Sequence, residues 1–224
     1  MMRRLFFASL VLGLATFLVS GVPAHAEEEP CPHGHAADDD AGVDDAGVEQ
    51  NARRYTRSVN TYHTPDITLL DQEGREVGLA PLLDGSSPVA LNFIFTSCAT
   101  VCPVMTATFS QMHRALGEDA GGLRTVSITI DPEHDTPRVL QSYAQRFNAK
   151  QGWQFLTGDA DEILKVQRAF DAYTGNKTNH RPFTLLRNGD SASWVRIDGL
   201  ASGTELATEY RQLRQDERPR AEGR

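Results

Sequence analysis

The chain has 224 residues, 40% hydrophobic and 23% charged, with 18 Gly, 11 Pro and three Cys. These values fit a soluble protein of one domain with appendages, and three cysteines are too few for a fold stapled by disulfides. The formal charge of −8 excludes a general phosphate-backbone binder, which needs Lys and Arg to displace counterions, so no nucleic-acid partner is expected.

At the N-terminus, Arg3 and Arg4 precede an uncharged, mostly apolar run from Leu5 to Ser20, and Ala24-His25-Ala26 fits a small-x-small cleavage site. Residues 1–26 therefore read as a secretory signal peptide. The run is about 16 residues, short of the roughly 20 that span a bilayer as a helix. The expected location is periplasmic or otherwise extracytoplasmic, with membrane contact only through an uncleaved N-terminal anchor.

Residues 27–61 read as an acidic, disordered linker. Glu27 to Gln50 hold nine acidic residues and no Lys, Arg, aromatic or large aliphatic side chain. Such a stretch cannot offset its ordering entropy by burial. It repeats Asp-Asp-Ala-Gly-Val at 39–43 and 44–48, too few copies for a solenoid. Cys31, His33 and His35 are a donor set for a soft metal, but in a tail that would have to order itself to bind, the incidental reading is preferred.

Ordered structure is expected from Tyr62, in a domain over 62–214. Ile67–Leu70 and Glu76–Leu79 flank the turn at 71–74 as a hairpin. Val89–Phe95 is nearly continuously apolar, as a central strand buried on both faces requires. Met105, Phe109, Met112 and Leu116 recur at helical spacing over 103–116, with Pro103 in the first turn. Leu123–Ile130 is a second buried strand. Thr136 and Pro137 open a helix through Phe147 as N-cap and first residue. Trp153–Leu156 is a strand, and a helix follows from Asp159 or Asp161 to Ala172. Phe183–Leu186 and Ser193–Ile197 form a hairpin around Asn188-Gly189. Thr204–Leu213 is the last helix, and 215–224 a charged tail. The alternation predicts an α/β fold with a central mixed sheet flanked by helices. Its site should lie beyond the carboxyl ends of the strands.

That rule points to Cys98 and Cys102, between the central strand and the next helix. A helix N-terminus favours negative charge, so both thiol pKa values should fall. Thiolates four positions apart can share a soft ion such as Cu(I) or Zn, or join as a disulfide; the spacing alone leaves both open. Asp131 and Asp135 are expected to order their loop and cap the next helix. His63 and His113 carry no signal, His134 faces solvent, and Met105, Met112, Trp153 and Trp194 read as packing.

Taken in order, Phe93-Ile94-Phe95-Thr96-Ser97-Cys98-Ala99-Thr100-Val101-Cys102-Pro103, then Asp131-Pro132-Glu133-His134-Asp135-Thr136-Pro137, then His180 ahead of a strand, resemble the Sco/SenC family over about residues 62–213. The resemblance implies a thioredoxin-like fold and binding of copper, as Cu(I) or Cu(II), through Cys98, Cys102 and His180. The implied partner is the copper-site subunit of cytochrome oxidase or another copper-handling protein. It implies a metallochaperone rather than an enzyme. The alternative is a thiol–disulfide oxidoreductase, with Cys98 and Cys102 as the redox pair, that keeps the recipient's cysteines reduced. Pro182 before its strand looks like the proline loop of thioredoxins and favours that alternative; three residues between the cysteines instead of two weigh against it. Asn179 stands where the family usually has Asp, and the stretch from Phe170 to His180 is short for the family.

Overall fold

The sequence from Val89 to Ile94 places six consecutive residues out of water, and the fold is organised around them. The computed structural model describes residues 54–189 and 191–216. The signal peptide, most of the linker with Cys31, His33 and His35, and the tail beyond 216 lie outside the described residues.

Eight strands run in chain order: β1 (Tyr55–Thr61), β2 (Thr68–Leu70), β3 (Glu76–Gly78), β4 (Val89–Ile94), β5 (Arg124–Thr129), β6 (Trp153–Leu156), β7 (Phe183–Arg187) and β8 (Ser193–Gly199). Among them lie helices α1 (Leu79–Leu83), α2 (Val101–Leu116), α3 (Pro137–Arg146), α4 (Ala160–Ala169) and α5 (Gly203–Asp216). Six strands form one sheet in the order β1-β8-β7-β4-β5-β6. β4, β5 and β6 are parallel, while β7 is antiparallel to β4, β8 to β7 and β1 to β8. This is the expected mixed sheet flanked by helices. The parallel half arises because α2 and α3 return the chain to the starting edge after each strand. In the antiparallel half only β7 and β8 are joined by a short connection, while β1 and β4 pair with them from distant parts of the chain.

Order begins earlier than expected. Residues 55–61, assigned from the sequence to the linker, form β1, paired along its length with β8. The strand carried no pattern because Thr56, Arg57, Ser58 and Val59 are all exposed. Backbone bonds hold it, together with Tyr55 Oη and Arg57 Nε, which donate to the buried Glu209 carboxylate at 2.8 and 2.9 Å. α1 was also not foreseen; its five residues are too few to show a period.

The hairpin β2–β3 is a separate two-stranded sheet. It joins the main sheet where Leu70 and Thr157 exchange backbone bonds of 2.7 and 2.9 Å. Gln72 then reaches along the edge of β6. Its side-chain oxygen accepts from the Phe155 N–H at 2.8 Å and its nitrogen donates to the Trp153 carbonyl at 3.2 Å. On one face of the sheet, α5 crosses α2 at Gly203, where any Cβ would stand 2.3 Å from Gln111 Cβ and 2.7 Å from the Met112 nitrogen. Only glycine permits that approach. Met105, Met112, Trp153 and Trp194 are buried as expected, with Trp153 stacked on Phe155. No helix of the described residues is long and apolar enough to cross a membrane.

Candidate metal centre

β4 ends at Ile94, and the chain turns sharply before α2. The Cys98 N–H closes that turn on the Phe95 carbonyl at 3.2 Å. α2 begins at Val101, two residues before the expected start, so Cys102 lies inside its first turn while Cys98 stays in the loop. Thr100 is the N-cap, yet its hydroxyl makes no capping bond. It lies instead 3.7 Å from Cys98 Sγ. The N–H groups of Cys102 and Thr100 act electrostatically on the Cys98 sulfur.

The two thiols therefore differ. Partial burial raises the pKa of Cys98, but the backbone N–H groups of Cys102 and Thr100, the Thr100 hydroxyl and the Cys102 thiol outweigh it and bring the value down to about 7. Cys102 is fully buried. Burial pushes it up to about 12, against the Phe95 N–H and reinforced by the charges of Cys98 and Asp135. The expectation that the helix would lower both values holds for Cys98 alone. Desolvation overrides the dipole one turn deeper. Both cysteines are free thiols.

Asp135 does not cap α3. Thr136 is that N-cap, without a side-chain bond. Asp135 is buried and accepts from Thr96 N at 3.0 Å and from the hydroxyls of Thr96 and Thr129 at 2.5 Å each. It thus ties the cysteine loop to the end of β5. Thr106, one turn beyond Cys102, donates to the Cys102 carbonyl at 2.9 Å and shares a 3.1 Å bond with Tyr143 Oη. Burial drives the Tyr143 phenol up to about 12, so it stays protonated as a partner.

His180 is 8% exposed and sits just before β7. Its Nε2 lies 3.0 Å from the Phe93 carbonyl oxygen. A carbonyl only accepts, so Nε2 carries the proton and Nδ1 keeps a free lone pair. Burial lowers the pKa, against the Phe93 bond, so the ring is neutral at pH 7. The Ile94 carbonyl faces β5, where it accepts from Ile130 N. Because alternate residues of a strand address opposite edges, the Phe93 carbonyl and the Phe95 N–H are neighbouring groups on the other edge. β7 leaves that edge after Asn92↔Thr184. His180 occupies the first group, and the second points at the Cys102 sulfur. The structure thus brings the imidazole and the deeper thiol to one strand edge. It does not close a cage: among the described residues, no three His, Cys, Asp or Glu side chains are grouped tightly enough to hold a metal ion. His134 and His63 are exposed, and His113 is buried against Thr125 Oγ1 at 2.7 Å.

Thr100, Asp135 in its tying role, and Lys177 were not found from the sequence. Thr100 is the N-cap residue type that should have drawn notice. Lys177, on the segment before His180, bonds Asp131 Oδ2 at 2.6 Å, a pairing with no local signal across 46 residues.

A dithiol loop joining a central parallel strand to its helix, beside an antiparallel strand led in by a buried His, defines a thioredoxin-like dithiol protein. Residues 56–213 match the SCO1/SenC family model, and the chain belongs to that family. It is 36% identical over 98 residues to a SCO1 protein homolog of Bacillus subtilis, a match covering 43% of this chain and 50% of that protein. The chain thus spans half the length of that curated relative. The copper-bound structure of Bradyrhizobium japonicum ScoI superposes with a TM-score of 0.57 at 27% identity, over 67% of this chain and 98% of that one. A structure of BsSco, a member of the Sco family of cytochrome c oxidase assembly proteins in which a disulfide switch has been identified, gives 0.58 at 25% identity, over 69% of this chain and 95% of that one.

Proposed function

We propose that this protein is an extracytoplasmic copper carrier that serves the maturation of a cytochrome oxidase copper site, with Cys98, Cys102 and His180 as the ligands. One observation carries the reading. The neutral imidazole is bonded to the Phe93 carbonyl, the neighbouring Phe95 N–H acts electrostatically on the Cys102 thiol, and the Cys98 N–H is bonded to the Phe95 carbonyl. Two sulfurs and one imidazole nitrogen form a soft set that suits Cu(I). Cys98, with its pKa of about 7, is the first to offer a thiolate. Cys102 must lose a proton as copper arrives, and the ion's own charge supplies the drive. Three ligands leave room for an incoming thiolate or imidazole of the recipient, so transfer proceeds by ligand exchange without a catalytic acid. Copper in the B. japonicum relative supports the reading.

Cu(I) titration against a competing chelator tests it. Wild type is expected to bind one ion, with large losses of affinity in Cys98→Ser and Cys102→Ser and a smaller loss in His180→Ala. Equal affinity in all four proteins would reject the ligand set.

The split thiol pair favours a second reading, a thiol–disulfide reductant of the recipient's cysteines. Cys98 thiolate would attack a partner disulfide, and Cys102 would resolve the mixed disulfide, leaving the partner with two thiols and this chain with the Cys98–Cys102 disulfide. A stable mixed disulfide trapped by Cys102→Ser but not by Cys98→Ser would support it.

A further inference from the structure

The segment from Asp171 to His180 is anchored at its ends and open between them. Ala172 and His180 are buried, whereas every residue from Tyr173 to Asn179 is exposed. Its interior bonds are local. Thr174 Oγ1 donates to the Asn176 carbonyl at 2.9 Å, and the Asn176 side chain accepts from Thr178 N and Thr178 Oγ1 at 2.9 Å each. Beneath it lies a cavity of about 590 Å³ lined by Asp171, Thr174, Asn179, Arg181, Phe183 and Arg196, so packing does not fix the segment on that side.

Lys177 reaches in the other direction. Its ammonium sits 2.6 Å from Asp131 Oδ2, at the end of β5, and 6.0 Å from the centre of the Phe95 ring. Phe95 is the residue whose carbonyl holds the Cys98 N–H and whose own N–H faces the Cys102 sulfur. Lys177 is also the acceptor for the His180 N–H, through its carbonyl at 3.1 Å. One residue therefore bonds His180 through its backbone and, through its side chain, the loop after β5, with its ammonium over the ring of Phe95.

We infer that Lys177 is a positioning residue, a latch that holds the His180 segment onto the loop after β5 through Asp131, the loop that Asp135 ties to Thr96, and so sets how firmly the third ligand is presented. The inference rests on the copper reading above. The pair is partly exposed, at 44% and 12% for the two side chains, which limits its strength and makes it sensitive to salt.

The test uses the full chain in two arms. In the metal-free protein, amide exchange at Asn179 and His180 is followed in wild type, Lys177→Gln, Asp131→Asn, Lys177→Arg and the swap Lys177→Asp with Asp131→Lys. In the Cu(I)-loaded protein, transfer to a chelator is timed for the same set and for His180→Ala. Lys177→Gln and Asp131→Asn are expected to exchange and to release copper roughly two- to fivefold faster. Lys177→Arg and the swap should restore both rates, and raised salt should bring wild type toward Lys177→Gln. Unchanged exchange in both single variants would overturn the latch. Faster exchange with unaltered copper release would overturn its bearing on the site. If His180→Ala accelerates release while Lys177→Gln does not, the ligand set stands and the latch falls. If His180→Ala has no effect, the ligand set falls, and the metal-free arm still decides the latch.

Discussion

The two halves of the candidate site are built on different principles. The cysteine half is part of the core: Cys102 lies inside a helical turn, and its carbonyl is bonded to Thr106. The loop before it is tied by Thr96 to the buried Asp135. The histidine half is a buried ring, bonded to the Phe93 carbonyl, led in by an exposed stretch from Tyr173 to Asn179 that reaches the rest of the fold through the Lys177–Asp131 ion pair and the Tyr173–Arg168 and Lys177–Phe95 ring contacts. The first half is rigid because removing any member leaves buried donors or acceptors unmatched, at about 1–3 kcal/mol each. The exposed stretch of the second is held by an ion pair worth about 1 kcal/mol or less. On the copper-carrier proposal, that asymmetry would make His180 the ligand that an incoming recipient displaces first.

The comparison can be broken most forcefully at β4. Phe93 is fully buried against Phe170 and Phe183 and also supplies the carbonyl for His180. Phe93→Ala is expected to cost about 3–5 kcal/mol, read by urea denaturation. Asp135→Ala should follow at about 3 kcal/mol, because three donors lose their acceptor. Asp135→Asn, which removes the charge with less disruption, should lower the Cys102 pKa from about 12, measured by thiolate absorbance.

pH separates the two sulfurs. Alkylation of the metal-free protein should label Cys98 first, with a rate rising through pH 7 as its thiolate forms, while Cys102 stays silent until the solution is far more alkaline. Equal labelling at pH 8 would erase the distinction. The histidines give a smaller effect of defined sign. Burial lowers the folded-state pKa of both His180 and His113 below 6.5, so the unfolded chain binds protons first. Their contribution to stability is present above about pH 6.5 and is lost as pH falls below it. A stability curve over pH 4–8 should decline on its acid side, and His113→Gln should flatten that decline.

Much of the scaffold was legible because its residues obey one pattern at a time. Val89–Ile94 reads as a doubly buried strand, and Trp153–Leu156 and the helix between Thr136 and Phe147 agree with the observed bounds. β1 was not legible, because an edge strand held by backbone pairing needs no apolar alternation. The cysteine pair was visible from its place between strand and helix. The division of its pKa values was not, because one turn of helix decides which sulfur is desolvated. His180 drew its meaning from resemblance alone, since 82 positions separate it from Cys98 in the sequence. Only the topology that sets β7 beside β4 brings it to the Phe93 carbonyl.

At the far border of the sheet, Gln72 sits where a peptide group of a seventh strand would lie. Its amide meets two of the outward-facing backbone groups of β6, the Trp153 carbonyl and the Phe155 N–H. An intruding chain would have to displace this internal mimic before it could zip onto that border. Together with the Leu70–Thr157 bridge, one uncharged side chain thus covers this border, whereas among the described residues β1 at the opposite border has no strand beyond it.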